Sequence, residues 1–201
     1  YQMLLIILPL ITAPYIARTL GAEGVGIYSY TYSVAQYFLL FAMLGISNHG
    51  NRSIAAVRED DCKLSRTFWS IYSIQAFMYV LAIIAYLIYL FAFNVDNKTI
   101  VAIQFIYVVS GALDISWYFF GTEQFKITVT RNMIIKIATV ILMFIFVHNP
   151  GDLAKYTVIM AGGTFLSQAY LWTYIFRQVD VVKVNWIDQR SYYFVYTGYS
   201  I

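Results

Sequence analysis

Six long apolar runs dominate this chain and leave it few ways to fold. They fall at Tyr1–Leu20, Gly26–Asn48, Phe68–Phe93, Thr99–Phe120, Val129–Val147 and Tyr156–Phe176. Each is close to the roughly 20 residues that a helix needs to cross a bilayer core. Backbone polar groups find no partner in lipid, so a crossing segment is a helix or part of a closed barrel. Barrel strands are short and alternate apolar with polar residues. These runs are long and do not alternate, and they predict an all-α polytopic membrane protein with six transmembrane helices. Only 11% of the residues are charged, against about 25% in a soluble domain.

Lys and Arg counts in the connecting segments predict the orientation. Arg52, Arg58, Lys63 and Arg66 follow the second run, Lys126, Arg131 and Lys136 surround the start of the fifth, and Arg177, Lys183 and Arg190 follow the sixth. These ten basic residues lie on one side; Arg18, Lys98 and Lys155 are the three on the other. The richer side is read as cytoplasmic, and it carries both the N-terminus and the tail 179–201. The net charge of +3 follows from this asymmetry. No basic run is dense enough to track nucleic-acid phosphates, and no nucleic-acid partner is expected.

The first run does not read as a cleaved signal peptide, because no small-residue cleavage site precedes a soluble domain and five more runs follow. The sequence starts at Tyr1 without a Met, and a few preceding residues are expected. Cys62 is the single cysteine, so no internal disulfide forms. His49 and His148 fall on opposite predicted sides, which rules out a shared metal site. No phosphate loop, nucleophile elbow or paired-carboxylate motif is present. Neither a metal nor another cofactor is expected.

Polar groups inside a membrane span are expensive and mark a pathway or a packed interface. In the fourth run Gln104, Tyr107, Gly111, Asp114 and Tyr118 recur at steps of three and four, which puts them on one helix face. Two readings of that stripe are open: a cavity lining in which Asp114 is ion-paired or takes up protons, or a packed helix interface. Trp117 lies one turn beyond Asp114. In the second run Ser29, Ser33 and Gln36, and in the sixth Gly162, Gly163, Thr164 and Gln168, suit close helix approach. Pro9 and Pro14 remove backbone donors from the first helix and predict either a bendable helix or a fixed kink. Arg18 sits where basic residues are scarce, so orientation does not explain it, and a planar guanidinium suits phosphate oxygens. For Arg52, Arg131 and Lys136 the charge bias is a sufficient explanation, with anion binding as the alternative. The mixed charges of Ser53–Thr67 predict a short amphipathic helix with a solvated face. Many of the 19 tyrosines suit a membrane-interface belt, and some suit sugar stacking.

The stretch LPLITAPYIARTLGAEGVGIYSYTYSVAQYF, followed by GISNHGNRSIA, resembles the first two helices of bacterial oligosaccharide flippases. ALDISWYFFGTEQFKITVTRNMIIKI resembles the fourth and fifth. These are the O-antigen and capsule repeat-unit translocases of the multidrug/oligosaccharidyl-lipid/polysaccharide exporter superfamily. The likeness runs in order through about residue 180. It implies twelve to fourteen helices in two lobes around a central cavity, with residues 1–178 as the N-terminal six-helix lobe. It implies a polyprenyl-diphosphate-linked oligosaccharide as substrate, alternating access across the bacterial cytoplasmic membrane, and no covalent chemistry. Carried onto this chain, the cavity residues are Arg18, Arg52, Asp114, Trp117 and Arg131, with Asp114 as the ion-coupling residue and Pro9 and Pro14 as hinges.

Six helices alone leave one wall of such a cavity open. Transport therefore requires a second lobe or a second copy, and a polysaccharide polymerase and chain-length regulator are further expected partners. The segment 179–201 reads as a tail, or as an end that stops short of a seventh helix through a fragment or a shifted reading frame. Three other readings stand beside the flippase. A drug/cation antiporter of the same superfamily would favour acids over cations in its cavity. An integral-membrane polymerase would carry a large hydrophilic loop, and every loop here is short. A non-functional truncated product is the last.

Overall fold

The computed structural model describes residues 2–93 and 96–180, with side chains from Ile7 onward. The tail expected over 179–201 lies almost wholly outside the described residues. Every regular element among the described residues is helical: α1 (Gln2–Met43), α2 (Ile46–Val57), α3 (Asp61–Ala92), α4 (Lys98–Ala112), α5 (Ser116–Gly121), α6 (Phe125–Phe146), a single 3₁₀ turn (Pro150–Asp152) and α7 (Leu153–Gln178).

The first two apolar runs form α1, which is interrupted at Gly21 (φ 72°, ψ 173°). A residue with a Cβ is strained in that region, and glycine is not. That one residue makes the break, and helix resumes at Ala22. Both flanks of the break pack on one cluster, with Ile16, Leu20 and Val25 meeting Met143, Val147, Leu153 and Tyr156. Tyr15 Oη donates to the Val147 carbonyl at 2.7 Å. Pro9 and Pro14 lie inside α1, and neither takes a non-helical backbone.

Two boundaries differ from expectation near Arg58. The second run was expected to continue to Asn48, but the chain leaves α1 after Met43 because Gly45 adopts a left-handed backbone (φ 76°). The short amphipathic helix is therefore α2, which starts earlier than Ser53 and ends at Val57. It buries Gly50 and Ile54 and exposes His49 and Arg52. The charge run that follows makes the turn. Asp60 accepts the Lys63 N–H at 3.0 Å, and this cap starts α3 at Asp61 rather than at Phe68.

The fourth run also differs. It is not one helix: α4 ends at Ala112, and α5 begins at Ser116. Gln104, Tyr107 and Gly111 share the buried face of α4, but Asp114 falls in the break and Tyr118 on α5, so the expected five-residue stripe divides there.

Three stretches among the described residues are long and apolar enough to cross a membrane: Asp61–Ala92, Lys98–Gly121 and Phe125–Phe146. The outward positions of α3 and α6 are apolar at helical spacing. Val80, Ile84, Ile88 and Phe91 on α3, and Ile134, Ile137, Ile141 and Ile145 on α6, are all exposed. Such a surface suits lipid, since lipid rather than water then contacts it. α4 packs against α1, α3 and α7, and α6 packs against α7. The largest buried cluster joins Ile54, Phe68, Ile71, Trp117, Phe119, Leu171 and Ile175 from four helices. The chain is a multi-pass helical membrane protein.

Candidate functional site

The break between α4 and α5 brings polar groups into the buried interior. Ending a helix inside a membrane frees carbonyls that lipid cannot satisfy. Here two side chains from other helices take them up. Gln75 of α3 is fully buried, and its Nε2 donates to the Asp114 carbonyl at 2.8 Å and to the Gly111 carbonyl at 3.5 Å. Trp172 of α7 donates from Nε1 to the Leu113 carbonyl at 3.0 Å. The backbone adds two bonds, with the Leu113 N–H donating to the Ser110 carbonyl and the Asp114 N–H to the Gly111 carbonyl.

Trp117 completes the arrangement. Its Nε1 donates to Gln75 Oε1 at 2.9 Å, so one amide spans the break and the first turn of α5. Its ring stacks on Phe68 at 5.5 Å. Gly50 of α2 is the floor beneath it, since a Cβ there would lie 2.7 Å from the indole. Gly111 leaves room for Leu39 and Tyr79 in the same way.

The candidate residues named from sequence are distributed rather than gathered. Asp114 is half-buried in the break, and its Oδ1 accepts the Ser116 N–H at 3.0 Å. Trp117 is 0% exposed and sits among aromatic rings. Arg131 on α6 is 5% exposed. Its Nη1 donates to the Ser167 carbonyl and to Gln168 Oε1, both at 3.0 Å, and its Nη2 donates to Asn132 Oδ1 at 2.9 Å. In this conformation that guanidinium joins α6 to α7. Arg18 and Arg52 are exposed and form no ion pair among the described residues. They stand on different elements, at α1 ahead of Gly21 and at α2. Pro9 and Pro14 are exposed on α1.

Gln75 and Trp172 escaped the reading from sequence. The signal was present for Gln75, a lone amide within the apolar third run, and it is the same signal that singles out Asp114. Trp172 gave none, because tryptophan is common in apolar runs and its indole N–H shows only in three dimensions.

A second polar group lies along α1, α4 and α7. The rings of Tyr28, Tyr32, Tyr107 and Tyr156 meet at centroid distances of 4.8–5.7 Å. The Tyr28 and Tyr107 hydroxyls are 3.4 Å apart. Gln104, 0% exposed, donates to Thr31 Oγ1 at 3.4 Å, and its Oε1 has no hydrogen-bond partner among the described residues.

Outside the spans, two carboxylates are held below their ordinary range. The Lys63 backbone N–H and ammonium lower Asp60. The Lys155 ammonium, at 2.7 Å, and the His148 and Asn149 N–H groups lower Asp152 to about 2. Asp152 closes the α6–α7 corner, next to the carbonyl that Tyr15 holds.

A chain whose described elements are all helical, with membrane-length apolar helices and buried polar clusters, belongs to the class of multi-pass membrane proteins. Comparison with known proteins narrows this. The chain belongs to the polysaccharide biosynthesis protein family, which it matches over residues 1–198. It is 28% identical over 189 residues to a protein of Escherichia coli (strain K12) named "Putative O-antigen transporter". That match covers 91% of this chain and 43% of the relative, so the chain spans less than half the relative's length. The relative's name describes a transporter. No solved structure matches the chain.

Proposed function

We propose that this protein forms the N-terminal half of a flippase that moves polyprenyl-diphosphate-linked oligosaccharide repeat units across the bacterial cytoplasmic membrane. The observation that carries this reading is the family match along nearly the whole chain, joined to membrane-length helices with polar side chains buried between them. Six spans follow if the two halves of α1 and α7 cross the membrane along with α3, α4–α5 and α6, and the N-terminus is then cytoplasmic. A second lobe or a second copy supplies the other wall of the path, and a polymerase and chain-length regulator act on the product.

Diphosphate recognition needs cations that are not already engaged. Arg52 and Arg18 are exposed, and in this topology they stand at the loading and release sides respectively. Arg131 holds α7 in this conformation and is released to the path only if α6 and α7 separate. Asp114 is half-buried beside a helix break, which suits a carboxylate that exchanges protons during the cycle. Pro9 and Pro14 allow the first half of α1 to bend. The supply of exposed arginines favours an anionic substrate over the cations of a drug antiporter.

The test is complementation. The full gene is placed in a strain that lacks its O-antigen flippase and makes the matching repeat unit. Restored surface polysaccharide, lost on Arg52→Ala in a protein that still reaches the inner membrane, is the expected result. Inner-membrane protein with no restoration, in the presence of its second lobe, contradicts the reading.

A further inference from the structure

We propose that the tyrosine face of α1, α4 and α7 binds the sugar portion of the transported lipid. This rests on the flippase reading and assigns a subsite within it. Tyr28 and Tyr32 of α1 stack nearly parallel, with planes 8° apart. Tyr156 of α7 meets Tyr28 edge-on at 4.8 Å, and Tyr107 of α4 meets Tyr32 edge-on at 5.0 Å. Three helices thus bring rings together in one place. Tyr107 is buried, while Tyr28, Tyr32 and Tyr156 each keep part of their surface open.

The hydroxyls separate this face from an ordinary packed core. The Tyr32 and Tyr156 hydroxyls form no hydrogen bond among the described residues, and neither is enclosed. A hydroxyl left unbonded against hydrocarbon is costly. These two therefore open onto a polar space rather than onto lipid. An interfacial belt does not account for Gln104, one turn from Tyr107 on α4. Its buried amide reaches Thr31, beside Tyr32, and keeps its Oε1 unused.

Aromatic faces with open hydroxyls and a nearby amide acceptor fit a sugar. Pyranose rings present C–H groups to an aromatic face and O–H groups to acceptors around its rim. No cation is among these six residues, so the diphosphate is recognised elsewhere. The division of labour is physical: the tyrosines read sugar, and arginines read phosphate.

The experiment compares two probes on the full transporter in detergent. One is the lipid-linked oligosaccharide extracted from the host strain; the other is sugar-free polyprenyl diphosphate. We expect the unsubstituted protein to bind the first more tightly. Tyr32→Leu and Tyr156→Leu should weaken the first by about tenfold, on the order of one aromatic contact, and leave the second unchanged. Tyr32→Phe and Tyr156→Phe keep the ring and should stay within about threefold of the parent, the loss of one modest hydrogen bond.

Discrimination that survives both leucine substitutions overturns the subsite alone. Equal binding of both probes by the unsubstituted protein likewise overturns the subsite alone, and binding of neither probe overturns the flippase reading and the subsite with it. Labelling keeps the proposal open to refutation if a leucine variant does not fold. In a Cys62→Ser background, Tyr32→Cys should react with a water-soluble maleimide, and the oligosaccharide probe should slow that reaction while the sugar-free probe does not. No reaction, or equal protection by both probes, overturns the subsite.

Discussion

The Gln75 side chain and the Trp117 indole form a hydrogen bond of 2.9 Å between α3 and α5, and the same amide donates to the Asp114 carbonyl at 2.8 Å. One side chain thereby stabilises both sides of a broken membrane helix. Replacing it leaves two buried groups without partners, and each costs about 1–3 kcal/mol. Gln75→Leu should lower the unfolding temperature of the detergent-solubilised protein by several degrees. Trp117→Phe keeps the ring on Phe68 and loses one bond, so its effect should be smaller. Equal stability of Gln75→Leu and the parent contradicts this role.

Glycine contacts offer a controlled pair on α7. A Cβ at Gly163 would overlap Thr139 of α6, whereas nothing lies within 4 Å of one at Gly162. Forcing a methyl into a packed interface costs about 1–3 kcal/mol, and Gly to Ala in an open helix position gains up to about 1 kcal/mol. Thermal unfolding should rank Gly162→Ala at or above the parent and Gly163→Ala below it. The reverse order contradicts the α6–α7 packing.

The corner between α6 and α7 should be acid-sensitive. Asp152 is held at about 2, below the ordinary carboxylate range near 4. A carboxylate lowered by folding stabilises the folded state above its unfolded pKa, and that contribution fades as pH falls from about 4 to about 2. Asp152→Asn should therefore lower stability at neutral pH and remove part of the acid dependence in that window. An unfolding midpoint with the same pH profile in both proteins counts against it. Lys155→Met should raise the lower edge of that window and narrow it, because the ammonium is the largest cause of the lowering.

In the proposed flippase, Asp114 is the residue assigned to ion coupling. Asp114→Asn preserves an acceptor for the Ser116 N–H and removes the carboxylate. Translocation by the full transporter should fall by about tenfold and lose its pH dependence. Unchanged rate and unchanged pH profile remove Asp114 from the coupling step.

How much of this was legible in the sequence depends on the kind of interaction. Apolar length gave the helices, because lipid leaves the backbone no alternative. The break at Asp114 was hidden: hydropathy passes smoothly through Leu113 and Ile115, and only Gln75 and Trp172, distant in sequence, make a break there tolerable. The start of α3 was missed because a cap on Asp60 outweighed the charged first turn. Among the candidate residues, Arg18 and Arg52 stood out by charge and are exposed. Arg131 stood out in the same way, yet its partners on α7 are a carbonyl and an amide that no charge pattern reveals. The grouping of Tyr28, Tyr32, Tyr107 and Tyr156 needed the packing of three helices before four tyrosines could be separated from nineteen.

The flippase reading is tested most directly in liposomes. The full transporter is reconstituted with a fluorescently tagged lipid-linked oligosaccharide, and a membrane-impermeant quencher is added outside. If the protein translocates this lipid, the quenched fraction rises from the outer-leaflet half toward completion, and Arg52→Ala slows the rise. A quenched fraction that stays at the level of protein-free liposomes, with folded protein in the membrane, contradicts the reading.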